Sequence, residues 1–408
     1  MRWPGALPGP GPPSRRPAAR LPMCPPTART DRRLALRALL GSALAGAGPA
    51  GRAQPAGPRN GLLVGQVLTL DGGRNEQGVA LRQGVEAAWQ VIQANGGIAG
   101  RPLSIRVLDD QGRADLAQAQ ARRLLDDGAL LLFGPLGDGP SGAVLAVAQE
   151  RGVPLFAPVA GLPGLRQPHQ PLVFPVRASL ADEFQALLAH GASLGMRRAM
   201  LLQEDSAAGR FHLAAAQARA AALGLAPLQP LLLPAAAGEV TLAQALDHLQ
   251  AQRIELLFNH GQAGPYERLI RLARSRRGGP ACWAVSLGSA PLLRQLGESA
   301  AGMVVSQVVP SPWDGRTQLG REYQAAFRAS FRDQPFSQLS LEGYLNTRAL
   351  ALALARAGPQ PTPARVLAGL ADARLDVAGQ VLTYRAGAHE GSHQVTLALV
   401  NRDGKLLH

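Results

Sequence analysis

Short apolar runs alternate with longer amphipathic segments through most of the chain, and this alternation constrains the fold more than any other feature. The run Leu62–Leu68 predicts a strand, and the segment Asn75–Ala94 places Val85, Ala88 and Ile92 on one helical face. Strands joined by helices through short connections are typical of parallel sheets covered by helices. The alternation therefore predicts an α/β fold.

The same pattern continues toward the C-terminus. Ala129–Phe133 is an unbroken apolar run, which is typical of a strand buried on both faces. Near the end, Gly379–Tyr384 and Gln394–Val400 predict antiparallel strands. A chain of 408 residues exceeds what one compact core usually holds, so two lobes are expected. Further strands are predicted at 103–107, 153–157, 198–203, 228–233, 254–258, 281–285 and 302–309.

The net charge of +14 first suggests a nucleic-acid partner, but the distribution of the charge argues against one. Residues 1–53 carry nine arginines and one acid, which leaves +6 for the rest of the chain. Beyond them, only Arg274, Arg276 and Arg277 cluster, and they fit the solvated end of a helix. We therefore expect no nucleic-acid partner.

The N-terminal segment has the pattern of an export signal. Asp31–Arg37 is basic and contains a twin-arginine-like pair, Ala38–Ala47 is apolar, and small residues follow up to Ala53. The apolar stretch is too short to span a bilayer. A lipid anchor would need a cysteine directly after it, whereas Cys24 precedes it. We expect export to the periplasm with cleavage near Ala53; the alternative is a disordered basic tail.

After removal of such a leader, Cys282 is the remaining cysteine. A single cysteine forms no intramolecular disulfide and no cysteine-based metal site, and it sits in an apolar run that predicts a buried strand. We expect Cys282 to be a small core residue, and the sequence predicts neither a metal nor a cofactor.

Loops rich in small residues follow two neighbouring predicted strands. They are Gly134–Gly142 and Pro158–Gly161. Ligands of open parallel sheets bind beyond the carboxyl ends of the strands, where helix N-termini offer free N–H groups. The first loop has no lysine and does not match a nucleotide-binding loop, so a tight structural turn and a ligand loop remain equally good interpretations.

The order of several short motifs resembles the leucine/isoleucine/valine-binding family of periplasmic proteins. Gly84–Ala88 is followed by Asn95–Leu103, which reads NGGIAGRPL, and then by Asp109–Asp110. Gly134 and the segment Gly152–Pro158 continue the family's order and spacing. No single motif is diagnostic, but the ordered series is.

This resemblance implies a periplasmic-binding-protein (Venus-flytrap) fold, in which two lobes close on a small molecule. Each lobe is a mostly parallel sheet flanked by helices. Ligand binding favours the closed form, because only that form contacts the ligand from both sides. The implied partner is the membrane permease of an ABC transporter, and a monomer is expected. The implied boundaries are a leader at 1–53, one lobe at 60–177 plus 309–392, and a second lobe at 178–308 plus 393–408.

The resemblance also implies where the ligand binds. Family members that bind branched-chain amino acids hold the carboxylate with hydroxyls on the two loops and the ammonium with an acid. Here the hydroxyl positions fall on Asp138 and Gly161, and the acid position falls near Ser286. The implied ligand-binding set is Gln77, Asp138, Gly139, Ser141, Ala160, Gly161, Glu204, Asp205, His260, Gln262 and Ser286.

Simpler structural roles remain open for several of these residues. Gln77 and Gln262 also fit solvent-facing positions, and Glu204–Asp205 also fit a cap on the following helix. His260 follows an apolar strand and fits either a pocket or a core. The charge of Asp138 has a direct consequence. Two like charges 4 Å apart cost about 4 kcal/mol at an effective dielectric of ~20, so leucine, isoleucine and valine are expected to bind weakly.

Two rival functional classes remain. The segment Ala284–Gly288 resembles the nucleophile elbow of α/β serine hydrolases, with Ser286 as nucleophile and Asp314 with His389 or His393 completing the order. The missing first glycine and the lack of an oxyanion segment argue against it. A ligand-sensing regulator of the same fold is the other alternative, and it conflicts with the export signal.

Overall fold

The computed structural model describes residues 61–260, 264–276 and 278–408. The predicted leader at 1–53, Gln262 and Arg277 therefore lie outside the described residues. In the part that is described, no helix is both long enough and apolar enough to cross a membrane.

The first lobe begins with a five-stranded sheet. Its strands are all parallel and lie in the order Leu103–Asp109 (β2), Leu62–Leu68 (β1), Leu132–Phe133 (β3), Leu155–Phe156 (β4) and Val173–Phe174 (β5). Of the strand predicted at 129–133, only Leu132–Phe133 pairs with neighbouring strands. Ala129 and Leu131 are buried without belonging to the strand, so the apolar run reflects burial rather than strand length. In chain order the elements are β1 (Leu62–Leu68), α1 (Glu76–Ala94), β2 (Leu103–Asp109), α2 (Ala114–Asp126), β3 (Leu132–Phe133), α3 (Asp138–Arg151), β4 (Leu155–Phe156) and β5 (Val173–Phe174).

The second lobe repeats the alternation. Its parallel strands lie in the order Gln229–Leu232 (β7), Ala199–Gln203 (β6), Leu256–Asn259 (β8) and Ala281–Trp283 (β9). A parallel bridge between Ala284 and Val305 joins the strand Val304–Gln307 (β10) to this sheet. Cys282 is buried here as predicted, and burial raises the pKa of its thiol to about 12. The elements are α4 (Leu180–Ser193), β6 (Ala199–Gln203), α5 (Ala207–Ala222), β7 (Gln229–Leu232), α6 (Glu239–Ala251), β8 (Leu256–Asn259), α7 (Gly264–Ser275), β9 (Ala281–Trp283), α8 (Ser289–Leu296) and β10 (Val304–Gln307).

The chain then returns to the first lobe and finally to the second. The returning elements are α9 (Gln318–Ser330), α10 (Gln338–Arg356), α11 (Pro363–Leu370), β11 (Arg374–Val377), β12 (Gln380–Arg385) and β13 (Ala388–Gly391), followed by β14 (Thr396–Val400) and β15 (Leu406–Leu407). β11, β12 and β13 are antiparallel, and β14 pairs antiparallel with β10 and β15. Both predicted antiparallel strands are confirmed. Sheet membership thus changes after β5, after β10 and after β13, while the exact lobe boundaries stay a prediction.

Helices α1 and α10 approach each other so closely that their contact is made by the main chain. A Cβ atom added at Gly84 would lie 1.8 Å from the carbonyl oxygen of Ser340, and one added at Gly343 would lie 2.2 Å from that of Leu81. Only glycine tolerates such an approach. The contact fixes the N-terminal turns of α10 beside α1, and these turns form a wall of the space between the lobes.

Candidate functional site

A cavity of about 1350 Å³ lies between the two lobes. The first lobe contributes α1, the segment before α10 and the first turns of α10, and the second lobe contributes α8 and residues 402–407. Much of the wall is apolar. The apolar lining includes Leu136, Val159, Leu287, Leu293, Val308, Val309, Phe336 and Leu339.

The polar lining divides almost evenly into nine uncharged and eight charged residues, and the eight comprise four acids and four bases. Five glutamines and four serines face the space, and they come from both lobes and from the segments that connect them. Amide and hydroxyl groups offer donors and acceptors without net charge. They are Gln77, Gln83, Gln307, Gln334, Gln338, Ser286, Ser289, Ser311 and Ser337.

A buried charged network forms the inner end of the cavity. Arg177 is 5% exposed, and its Nη2 donates to Ser286 Oγ at 2.5 Å and lies 3.7 Å from Glu183 Oε1. Glu183 is fully buried and accepts from the amide of Ser286 at 2.7 Å and from Ser306 Oγ at 2.6 Å. These charge-assisted bonds satisfy the Glu183 carboxylate and tie it to the loop of Ser286.

Glu342 belongs to the same network but is less well satisfied. Its Oε1 lies 3.4 Å from Arg177 Nη1, and neither atom has a hydrogen-bond partner within the described residues. Burial raises the pKa of Glu342, and the nearby Arg177 offsets part of that rise. Gln338 lies one helical turn earlier on α10, and both polar atoms of its side chain also lack a partner within the described residues.

The mouth of the cavity is lined differently. Arg294 of α8 forms an ion pair with Glu76 of α1, so the pair joins the two lobes at the surface. Trp313 lines the cavity as well, and 53% of it is exposed. An exposed ion pair of this kind adds little stability, ~0.2–1 kcal/mol.

The two glycine-rich loops each contribute one residue to the cavity wall, Leu136 and Val159, and their remaining residues lie along the seam between the lobes. The Asp138 carboxylate accepts a hydrogen bond from the amide of Gly161 at 2.8 Å. Leu180 and Leu287 of the second lobe pack against Gly161, where an added Cβ would lie 2.8 and 3.1 Å from their Cδ1 atoms. Here the lobes touch directly, and Asp138 binds the neighbouring loop.

Two histidines of the second lobe lie beside these loops. The rings of His212 and His260 stack with centroids 5.3 Å apart. Burial, and then the neighbouring His260, lower the pKa of His212 to about 4, while a hydrogen bond with the backbone of Gly161 opposes the shift. Burial also lowers the pKa of His260. Both imidazoles are therefore neutral at pH 7.

The predicted ligand residues separate into two groups. Gln77 and Ser286 line the cavity. Ser141 is buried, with its Oγ 3.5 Å from the carbonyl oxygen of Pro135, and Ala160 is half-buried. The predicted residues that the structure describes outside the cavity lining are Asp138, Gly139, Ser141, Ala160, Gly161, Glu204, Asp205 and His260.

Two alternative interpretations of the sequence are wrong. The cap of α5 is Ser206, whose side chain accepts from the amide of Gly209, so Glu204–Asp205 do not cap that helix; Asp205 pairs with Arg210 instead. The hydrolase arrangement also fails to assemble. Ser286 Oγ binds Arg177 and Glu183. The other hydrolase candidates bind elsewhere: Asp314 to Arg316, His389 to the carbonyl of Val173, and His393 to Asp182 and Glu390.

Sequence reasoning missed the residues at the inner end. Arg177 follows an apolar segment, and Glu183 and Glu342 lie within helices whose neighbouring residues are buried. A charged residue inside an otherwise apolar stretch was the available signal, since such groups are rarely buried without a partner. In the described parts of the chain, no group of three or more histidine, cysteine or acidic residues could hold a metal ion.

Comparison with known proteins gives a consistent result. Residues 62–405 match the family model described as periplasmic binding protein. The Leu/Ile/Val-binding protein BraC3 of Rhizobium johnstonii is 28% identical over 104 residues, which are 26% of this chain and 28% of that protein. The aligned segment thus spans just over a quarter of this curated relative.

Solved structures are similar over most of the chain. A possible leucine/isoleucine/valine-binding protein from Rhodopirellula baltica SH 1 has a TM-score of 0.72 and 26% identity, covering 86% of this chain and 98% of that one. An extracellular ligand-binding receptor from Verminephrobacter eiseniae ef01-2 has a TM-score of 0.73 and 24% identity, covering 85% and 100%. These matches confirm the predicted two-lobed α/β fold.

Proposed function

Because the chain belongs to the periplasmic binding protein family, we propose that it captures a small molecule between its lobes and delivers it to the membrane permease of an ABC transporter. The observation that carries this proposal is the cavity of about 1350 Å³, which is lined from both lobes. A ligand held there contacts both lobes at once, so binding stabilises the closed arrangement that a permease can recognise.

The family consists of solute-binding proteins rather than enzymes, so the hydrolase interpretation of Ser286 is wrong. Membership also implies a periplasmic location. An export leader cleaved near Ala53 and a monomeric state belong to the proposal. A regulator of the same fold has no specific support among the described residues.

We assign the ligand to the cavity rather than to the Asp138–Gly161 contact. Of the predicted ligand residues, Gln77 and Ser286 line the cavity. Arg177, Gln338 and Glu342, which the sequence did not predict, line it as well. Asp138 takes the Gly161 amide that a ligand carboxylate would need, and its own charge repels an anion. This arrangement supports weak or undetectable binding of leucine, isoleucine and valine.

A thermal-shift screen of the exported protein, purified from the periplasm of an expressing bacterium, tests the binding function. Amino acids, amides, aromatic acids and short-chain acids form the panel. A true ligand at 100 times its Kd adds about 2.7 kcal/mol to the free energy of unfolding. Ser286→Leu should abolish the shift, and Ser193→Ala, on the exposed end of α4, should retain it. A shift that survives Ser286→Leu unchanged would place the ligand outside the cavity.

A further inference from the structure

The inner end of the cavity contains four buried polar atoms that lack a hydrogen-bond partner within the described residues. Two are nitrogen donors, Arg177 Nη1 and Gln338 Nε2, and two are oxygen acceptors, Gln338 Oε1 and Glu342 Oε1. All three residues line the cavity. Arg177 Nη1 and Glu342 Oε1 form an ion pair at 3.4 Å but make no hydrogen bond. Buried polar atoms normally have hydrogen-bond partners, so a bound ligand is the natural complement of these four atoms.

The balance of donors and acceptors selects among ligand groups. An ionised carboxylate only accepts hydrogen bonds, so it would leave the two acceptors unpaired and would lie against the Glu342 carboxyl group. An ammonium group only donates and would leave the two donors unpaired. A primary carboxamide carries an acceptor and two donors in one plane, and it complements both kinds of atom.

From this complementarity, we propose that the ligand is a neutral primary amide attached to an apolar body, and that Glu342 and Gln338 select the amide over the corresponding acid. The amide oxygen accepts from Arg177, and its NH₂ group donates to Glu342. The i,i+4 placement of Gln338 and Glu342 on α10 presents both side chains along one helical face.

The rest of the cavity agrees with this ligand class. The buried charge of Arg177 is already balanced by Glu183, which receives donors from Ser286 and Ser306, so the inner end has no surplus positive charge for an anion. Apolar residues such as Val308, Val309 and Leu339 form nearby walls and suit an aliphatic or aromatic body.

Calorimetry with matched pairs tests the inference, which rests on the proposed binding function. The probes are isovaleramide against isovalerate and benzamide against benzoate, each pair sharing one apolar body. The amide of at least one pair should bind the wild-type full chain at least about tenfold more tightly than its acid, the scale of one hydrogen bond to a charged group.

Variants identify the residues that select. Glu342→Gln removes the negative charge and adds donors, so the ratio of acid Kd to amide Kd should fall at least about tenfold. Glu150→Gln, at an exposed ion pair with Arg122 outside the cavity, should leave the ratio unchanged. Gln338→Leu should weaken amide binding at least about fivefold while the melting temperature of the unliganded protein stays the same or rises, because two unpaired polar atoms are removed.

Three outcomes would overturn the inference. They are tighter binding of the acids than of the amides, no binding by either amide, and an acid-to-amide ratio that Glu342→Gln leaves unchanged. Binding of the acids in the first case would leave the solute-binding function standing. That function fails only if the broader thermal-shift screen also finds no ligand.

Discussion

At the seam beside the glycine-rich loops, Asp138 accepts a hydrogen bond from the Gly161 amide, and Leu180 and Leu287 pack against that loop. At the inner end, Arg177 and Glu342 are buried residues of the cavity lining. The first region is closed by contacts of the protein with itself. The second keeps polar atoms unpaired beside a cavity. Unpaired buried groups are unfavourable in the free protein, so the difference indicates where the fold sacrifices stability for binding.

The largest expected effect comes from breaking the inner network. Arg177→Met removes the cation between two buried carboxyl groups, and we expect the free energy of unfolding to fall by roughly 3–5 kcal/mol in urea denaturation. Arg122→Met breaks only an exposed pair and should lower the free energy of unfolding far less. Equal losses in the two variants would contradict the comparison.

The main-chain contact between α1 and α10, which positions Glu342, should show the next largest loss of stability on substitution. Gly343→Ala forces a Cβ into the main chain of α1, and we expect a loss of about 3 kcal/mol, measured as a lower urea midpoint. Gly139→Ala is the matched helical control, because its added Cβ meets open space. That variant should be neutral or more stable by roughly 0.5–1 kcal/mol.

Acid should affect the closed seam through His212. Its pKa is lowered from 6.5 to about 4 in the folded protein, so the unfolded chain binds more protons between these values. The stabilising contribution is complete above pH 6.5 and is lost as the pH falls toward 4. The loss is on the order of 3 kcal/mol. As the pH falls through this range, the free energy of unfolding should decline less steeply in His212→Gln than in the wild type. An identical slope in the two proteins would show that His212 does not cause the pH dependence.

The smallest effect is expected at Asp138. Asp138→Ala loses the hydrogen bond to Gly161 and should cost roughly 1 kcal/mol, while Asp138→Asn keeps an acceptor and should lose less. In calorimetry, leucine should bind the wild type weakly or not at all. Micromolar binding of leucine that is unchanged in Asp138→Ala would show that the carboxylate does not influence the pocket.

The elements of the fold could be predicted because their signals are local. Strand β1 begins and ends at the predicted residues, Leu62 and Leu68, and helix α1 ends before Asn95, whose neighbours tolerate left-handed backbone. Strand β5 was missed, because Val173–Phe174 is only two residues long and has no periodicity to detect. In such short strands the run of buried residues is longer than the run of residues that pair with a neighbouring strand.

The site could be predicted only in part, because it is assembled across the chain. Ser286 and Gln77, which line the cavity, were predicted from their position in an ordered series of motifs, and their contact with a ligand stays a prediction. The contact that brings Arg177 to Glu342 spans more than one hundred and fifty residues of sequence and depends on how α10 packs against α1. No local pattern encodes such a distance, and a charged side chain in a helix ordinarily indicates a solvated face.

The main-chain contact between α1 and α10 has a consequence for how such a protein can diverge. At Gly84 and Gly343 the spacing of the two helices is set by backbone atoms rather than by side chains. Substitutions at the neighbouring positions that line the cavity, such as Gln77, Gln338 and Glu342, therefore change the chemistry of the wall without moving it. New ligand preferences can arise by exchanging single side chains on an unchanged scaffold.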